Sequence, residues 1–132
     1  MDLNQKLIVE AVRKYCPSNK VTIQVTSGVG KGFPDLAVGV NGENQYWEIK
    51  SPGGKLTPDQ VKWHAAWAGN VKVVTTVWEA LSMAGASAQI AVEVDRLYRD
   101  RYPEAFGEEA AARREASGGE GRDQGRDTEV IG

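Results

Sequence analysis

The spacing of apolar residues changes along the chain and predicts a mixture of helices and strands. Residues 3–15 carry apolar side chains at helical intervals, and Pro17 ends this predicted helix because the residue before a proline avoids the α region. Residues 21–27 alternate between apolar and polar side chains, which predicts a strand. Residues 35–40 and 45–50 predict two more strands.

The second half of the chain begins with a clear helix signal. Thr57 is the expected N-cap, Pro58 occupies the first helical position, and Gln60 completes a capping box. We expect this helix to extend to Gly69 and residues 72–77 to form a fourth strand.

Two further helices complete the predicted fold. Thr76 and Glu79 form a second capping box for a short helix that ends near Gly85. Residues 88–102 predict a final amphipathic helix. The residues expected on its apolar side are Ile90, Val94, Leu97 and Tyr98. The predicted class is α/β, with a small mixed sheet of about four strands flanked by helices.

The last thirty residues differ in composition from the rest. Residues 103–132 contain four Arg and eight Asp or Glu, a net charge of −4, and few large apolar side chains. Such a segment buries too little surface to offset its ordering entropy, so we predict a disordered acidic, Gly-rich tail, with at most a short helix over residues 108–115. Residues 1–102 then form one folded domain with a net charge of +2.

Composition also excludes several classes of protein. Cys16 is the only cysteine, which excludes an internal disulfide. No apolar run is long enough for a membrane span and the N-terminus lacks a signal-peptide pattern, so we expect a cytoplasmic location and no membrane partner. His64 is the only histidine, which excludes a His-based metal cluster or triad. The Gly-rich loop of residues 28–32 lacks the pattern of a phosphate-binding loop, so we expect no nucleotide cofactor.

The turn at Asn41-Gly42 predicts which charged residues meet. Asn-Gly between two alternating runs is a strong hairpin signal. If these residues are the centre of the turn, paired positions sum to 83, and Asp35 lies opposite Glu48 with Cβ atoms roughly 5 Å apart. A four-residue loop would place Asp35 opposite Lys50 instead. In both registers the three charged residues lie on the same face of the sheet.

Two facing carboxylates repel each other unless a positive charge lies between them. One explanation is a salt bridge from Lys50, which accounts for one carboxylate better than for two. The other is a divalent cation, because carboxylate oxygens are ligands that Mg²⁺ and Mn²⁺ prefer. In that case Lys50 would lie beside the metal, where it could orient a water molecule or offset charge developing on a phosphate.

The same residues resemble a known family of nucleases. Pro34-Asp35 followed by Glu48-Ile49-Lys50 resembles the PD-(D/E)xK signature of Mg²⁺-dependent nucleases. The longer stretches GFPDLAV and WEIKSPGGKLTPDQ resemble the virus-type replication-repair nuclease domain, VRR-NUC, and the similarity covers roughly residues 2–80. The resemblance implies a restriction-endonuclease-like core.

The resemblance also implies roles for individual residues. Asp35, Glu48 and the backbone carbonyl of Ile49 would bind the metal, and Lys50 would be the catalytic lysine. Gln60 would support the site or contact DNA, although it also has the simpler interpretation of a capping-box partner for Thr57.

The resemblance also implies an acidic residue on the first helix; Glu10 is the first candidate and Asp2 the alternative. The residues expected to contact DNA are Lys31, Ser51, Lys55 and Lys62. Trp63 and Trp67 are predicted to lie in the core, and His64 on the flank of the helix.

These features predict a metal-dependent DNA nuclease that uses Mg²⁺, with Mn²⁺ as a substitute. By resemblance, we expect a homodimer that cleaves branched, flap or junction DNA, similar to a Holliday-junction resolvase, in phage replication, repair or recombination. One alternative is a DNA-binding module that keeps the fold without turnover. Another is a protein-interaction domain whose acidic tail is the functional part.

Overall fold

The computed structural model describes residues 1–107. Their helices and strands occur in the order α1 (Leu3–Tyr15), β1 (Val21–Val25), β2 (Leu36–Val40), β3 (Glu43–Ile49), α2 (Pro58–Ala66), β4 (Val71–Val74), α3 (Val77–Met83), α4 (Ala88–Arg101) and α5 (Pro103–Phe106). The fold is therefore mixed α/β, as predicted. Within this range no helix is long and apolar enough to cross a membrane.

The four strands form one mixed sheet in the order β1-β2-β3-β4. The first three are antiparallel neighbours and β4 runs parallel to β3. Asn41 and Gly42 have φ values of 50° and 87°, as a two-residue type I′ turn requires. Leu36 pairs with Trp47, so paired positions sum to 83, which confirms the two-residue turn.

The main core lies on one face of the sheet. Leu36, Val38 and Val40 point to this face together with Trp47 and Ile49, and all five are buried. Helices α1, α3, α4 and α5 contribute most of the other buried side chains of this cluster, and Val21 of β1 and Val74 of β4 also belong to it. The alternation of β2 and β3 therefore places Asp35 and Glu48 on the opposite, second face of the sheet.

Helix α2 lies on that second face, as the crossover between the parallel strands β3 and β4. Its Thr57 cap and capping box form as predicted. The helix ends at Ala66 rather than Gly69, because Trp67 adopts an extended backbone that begins the turn into β4. None of its nine residues, all within the described part of the chain, is buried.

The inward side of α4 differs from the predicted one. Val94 and Tyr98 are buried as expected, but Ile90 and Leu97 are exposed. Asp95 takes an inward position because its Oδ1 accepts a hydrogen bond from the Trp78 N–H at the start of α3, at 2.9 Å. With Asp95 turned inward, the side of α4 that faces the core differs from the side that the apolar spacing predicts.

The folded region extends beyond the predicted boundary at residue 102. Pro103–Phe106 form α5, and Ala105 and Phe106 are buried in the main core. The prediction of disorder is therefore wrong for these residues, because the two apolar side chains reach the core. The predicted helix at 108–115 and the rest of the predicted tail lie outside the described residues.

Candidate functional site

The ends of β2 and β3 bring the two predicted carboxylates together. Asp35 directly precedes β2, and its Oδ2 accepts a hydrogen bond from the Ile49 N–H at 2.8 Å. Continuing the observed register by one residue places Asp35 opposite Glu48. The alternative register, with Asp35 opposite Lys50, does not occur.

Glu48 is almost completely removed from solvent. Its exposed fraction is 1%, although it is an acidic residue on the less covered face of the sheet. Oε2 accepts a hydrogen bond from Gln60 Nε2 at 3.1 Å. Oε1 has no hydrogen-bond partner among residues 1–107, and neither has His64 Nε2, which lies 3.8 Å away. A buried carboxylate oxygen without a partner is costly and marks a place where a ligand would be stabilised.

Burial raises the pKa of Glu48 from 4.5 to about 9. The neighbouring Asp35 carboxylate adds to this shift, because it can accept the proton of a neutral Glu48 and repels an ionised one, and the Lys50 ammonium opposes the shift. The pKa of His64 is lowered, first by burial and then by Lys50. Without a cation, Glu48 is therefore predominantly protonated at neutral pH and His64 is neutral.

Gln60 has two roles at the start of α2. Its Oε1 accepts a hydrogen bond from the Thr57 N–H at 2.9 Å, and its own N–H donates to Thr57 Oγ1 at 3.2 Å. At the same time its Nε2 binds Glu48. Gln60 is therefore the capping-box partner of Thr57 and at the same time a hydrogen-bond donor to Glu48, because the first turn of the helix faces the carboxylates.

The donor set fits a hard divalent cation. Two carboxylates converge, and the Glu48 oxygen without a partner is available as an acceptor. The N–H of Ile49 points to Asp35, and in an extended strand the carbonyl of a residue points to the same side as its N–H. Within residues 1–107, no three or more His, Cys, Asp or Glu side chains form a group arranged to hold a metal. Water or substrate oxygens would therefore complete the coordination, as is usual for Mg²⁺.

Lys50 and Ser51 follow β3 directly. The Lys50 N–H donates to the Val74 carbonyl at 3.1 Å, which continues the parallel ladder and fixes the backbone at this point. Both side chains are half-buried. The effect of the Lys50 ammonium on the pKa values of Glu48 and His64 shows that its charge acts on the site.

The structure does not bring Glu10 to this site. Glu10 accepts a hydrogen bond from the Tyr98 hydroxyl on α4 at 3.0 Å, on the side of the main core. Asp2, the alternative, is the exposed N-cap residue of α1 and makes no side-chain capping bond. Another polar residue of α1, Gln5, is buried, and its Nε2 donates to Ser27 Oγ, just beyond the end of β1, at 3.2 Å.

The connection from Gln5 to the site runs through the end of β1. Thr26, the neighbour of Ser27, donates from its N–H to the Asp35 carbonyl at 2.7 Å and from its Oγ1 to the Pro34 carbonyl at 2.9 Å. Sequence reasoning missed Gln5 because only acidic residues of the first helix were considered. Its polar side chain among the apolar positions of the helix was the available signal.

The predicted DNA-contacting lysines are all exposed. Lys31, Lys55 and Lys62 lie around α2, and Lys31 Nζ is 3.9 Å from Asp59 Oδ2. The Gly-rich loop packs against the first turn of α2, since a Cβ on Gly32 would lie 2.4 Å from the Asp59 carbonyl oxygen. These side chains are available to solution phosphates at the rim of the site.

The sequence did not predict that His64 would lie next to the carboxylates. The structure places it over Glu48 rather than free on the flank of the helix. The signal was its position four residues after Gln60, because residues at this spacing share one face of a helix.

Trp63 and Trp67 are not part of the main core, contrary to prediction. They form an aromatic cluster with Phe33 and Tyr46 on the second face of the sheet. The four-residue spacing of Trp63 and Trp67 indicates that they share one side of α2, but it does not indicate which face of the sheet the helix covers.

Comparison of the chain with known protein families, with curated proteins and with solved structures finds no match.

Proposed function

We propose that this protein is a metal-dependent nuclease that hydrolyses phosphodiester bonds in DNA, with a restriction-endonuclease-like core. The observation that carries the proposal is Glu48: a carboxylate with an exposed fraction of 1%, opposite Asp35, with one oxygen lacking a hydrogen-bond partner within residues 1–107. A purely structural role gives no reason to bury an ionisable carboxyl group with an oxygen that lacks a partner.

The proposed roles follow from the contacts. Asp35 and Glu48 would hold Mg²⁺ or Mn²⁺ together with the Ile49 carbonyl. When bound, the cation would lower the pKa of a coordinated water and offset charge on the phosphate. The Ile49 N–H keeps the Asp35 carboxylate turned towards β3, and Gln60 holds Glu48 through Oε2.

Lys50 is the residue that would act on the reacting groups. Lys50 follows Glu48 by two residues, so both side chains project from the same face of the sheet, and its ammonium lowers the pKa values of both Glu48 and His64. In this position it would orient a water molecule and stabilise negative charge on the phosphate. The exposed Lys31, Lys55 and Lys62, together with Ser51, would contact the DNA backbone, where such contacts position the duplex without reading its sequence.

The finer parts of the proposal rest on the resemblance to the VRR-NUC domain. They are the preference for branched, flap or junction DNA, the homodimer and the role in phage replication, repair or recombination.

The first experiment is cleavage of labelled duplex, flap and four-way-junction DNA in Mg²⁺, Mn²⁺ or EDTA. Lys50→Ala is compared with Lys20→Ala, an exposed lysine before β1 that serves as the matched control. We expect cleavage that requires the metal, is lost in Lys50→Ala and persists in Lys20→Ala.

The same experiment decides between nuclease and binding module. If no DNA is cleaved under any condition and binding is the same in wild type and Lys50→Ala, the nuclease proposal is wrong. Salt-sensitive binding without cleavage would then favour a DNA-binding module, and no binding would favour a protein-interaction domain.

A further inference from the structure

Four aromatic residues form a continuous cluster beside the carboxylates. Phe33, Tyr46 and Trp63 contact one another edge to face, with ring centroids 5.1 to 5.9 Å apart. Trp67 stacks on Trp63 with a centroid distance of 4.7 Å and an interplanar angle of 17°. The cluster therefore ends in two nearly parallel indole rings.

The members of this cluster differ in exposure. Phe33, Tyr46 and Trp63 are half-buried and attach α2 to the sheet. Trp67 lies beyond the last helical residue and is 41% exposed. Trp67 also contacts Tyr46 edge to face, with ring centroids 5.4 Å apart. Attaching the helix explains these packed sides of the rings, but not the part of Trp67 that remains open to water at the end of the stack.

The stack is directly connected to the proposed site. Gln60 and His64 contact Glu48 from the same face of α2, and the Trp63 and His64 ring centroids are 6.1 Å apart. Trp67 follows Gln60 by seven positions, which corresponds to about 10 Å along a helix. This is roughly three nucleotide steps at the axial spacing of a DNA strand.

The surrounding charge favours a nucleic acid as the occupant. Lys62, next to Trp63, is exposed, and Lys55 is exposed just before the helix. A phosphate backbone would be attracted to these ammonium groups, while an aromatic ring offers a stacking surface for any base. The core of a protein–protein interface, in contrast, is depleted in lysine.

We propose that Trp67, supported by Trp63, stacks against an unpaired base of the DNA strand that enters the site at Asp35 and Glu48. This inference rests on the proposed nuclease function and adds a substrate class to it. The protein would take DNA with unpaired nucleotides close to the cut in preference to continuous duplex, because paired bases cannot offer a free face to the ring.

The test measures binding in EDTA, so that it does not depend on cleavage. The probes are a labelled duplex with a single-stranded arm, the same molecule with abasic sites in the arm, and a continuous duplex. Trp67→Ala is compared with Trp78→Ala, a matched control because Trp78 on α3 is similarly exposed, at 46%. Trp67→Phe retains an aromatic face.

We expect Trp67→Ala to weaken binding of the arm substrate by roughly tenfold, the effect of losing one base–aromatic stack, and to leave duplex binding unchanged. Trp67→Phe should restore much of the loss, and Trp78→Ala should bind as wild type. Wild-type protein should also bind the abasic arm more weakly than the normal arm, a comparison that needs no folded variant.

Equal wild-type affinity for normal and abasic arms would overturn the inference. Equal loss of arm and duplex binding in Trp67→Ala would also overturn it. A dimer that dissociates in Trp67→Ala, measured by sedimentation, would identify the ring as a contact between copies instead. If wild type cleaves flap DNA but ignores the abasic change, only the stacking proposal fails; if no DNA is cleaved, the nuclease proposal fails separately.

Discussion

Replacing Glu48 with glutamine tests whether the buried carboxylate is neutral in the metal-free protein. The pKa of Glu48 rises from 4.5 to about 9 because the group is buried next to Asp35. Glutamine has the shape of the protonated acid and can still accept the Gln60 hydrogen bond through its own oxygen. Glu48→Gln should therefore be at least as stable as wild type in EDTA, whereas loss of a solvated and well-paired carboxylate would be destabilising.

The direction of the pH dependence follows from proton binding. Because the pKa is higher in the folded state, the folded protein binds more protons than the unfolded chain between pH 4.5 and about 9. The stability contributed by protonated Glu48 is complete below pH 4.5 and decreases as the pH rises through this window. Relative to Glu48→Gln, the free energy of unfolding of wild type should decrease by about 1.4 kcal/mol for each pH unit in the middle of the window.

The assay is urea unfolding in EDTA at pH 5, 6, 7 and 8. Tryptophan fluorescence reports the transition, because Trp47 is fully buried in the core. Glu43→Gln, which changes an exposed glutamate at the start of the same strand, is the matched control and should not reproduce the divergence. If wild type and Glu48→Gln follow parallel curves from pH 5 to 8, Glu48 is ionised in the metal-free protein and the reasoning is wrong.

Three further predictions concern the metal, the last helix and the Gly-rich loop. In thermal melts, Mn²⁺ at one hundred times its dissociation constant should stabilise wild type by about 2.7 kcal/mol and should not stabilise Glu48→Gln. At a fixed Mn²⁺ concentration the stabilisation of wild type should be larger at pH 8 than at pH 6, because the metal binds the deprotonated carboxylate. Phe106→Ala should lower the free energy of unfolding by about 3 to 5 kcal/mol in urea titrations, since the ring is buried in the core. Gly32→Ala should cost about 1 to 3 kcal/mol, because φ is +75° and the new Cβ would lie 2.4 Å from the Asp59 carbonyl oxygen.

Each of these three predictions has an outcome that would contradict it. Equal stabilisation of wild type and Glu48→Gln by Mn²⁺ would place the cation elsewhere. A change below 1 kcal/mol in Phe106→Ala would indicate that α5 does not contribute to the core. Gly30→Ala, where a Cβ meets nothing within 4 Å, should be nearly neutral, and an equal cost at both glycines would contradict the close approach at Gly32.

Features set by neighbouring residues could be predicted from the sequence. Asn41-Gly42 predicted the hairpin and left two registers open, both of which place Asp35 and Glu48 on the same face of the sheet. The positive φ values of both turn residues select the two-residue turn and its register. The capping boxes at Thr57 and Thr76 also followed from the sequence, since all the hydrogen-bonding groups lie within four residues. The juxtaposition of Asp35 and Glu48 is a direct consequence of this local chemistry.

Features set by distant contacts could not be predicted in this way. The inward side of α4 depends on the contact between Asp95 and α3, and periodicity alone favoured Ile90 and Leu97. Phe106 is ordered because it meets a core built by residues far away in the chain. Glu10 had helical spacing in its favour, but α4 supplied a partner, Tyr98, on the other side of the sheet.

Because α2 is only partly buried, its attachment to the sheet is coupled to the protonation state of Glu48. Gln60 and His64 cover the carboxylate from a helix that contributes no buried side chain within residues 1–107, so partial detachment of this helix costs less than opening the core. Detachment would hydrate Glu48 and return its pKa towards 4.5. Protonation of Glu48 therefore stabilises the attached position of α2. As the pH rises, the amide exchange rate of α2, corrected for its intrinsic pH dependence, should increase in wild type but not in Glu48→Gln.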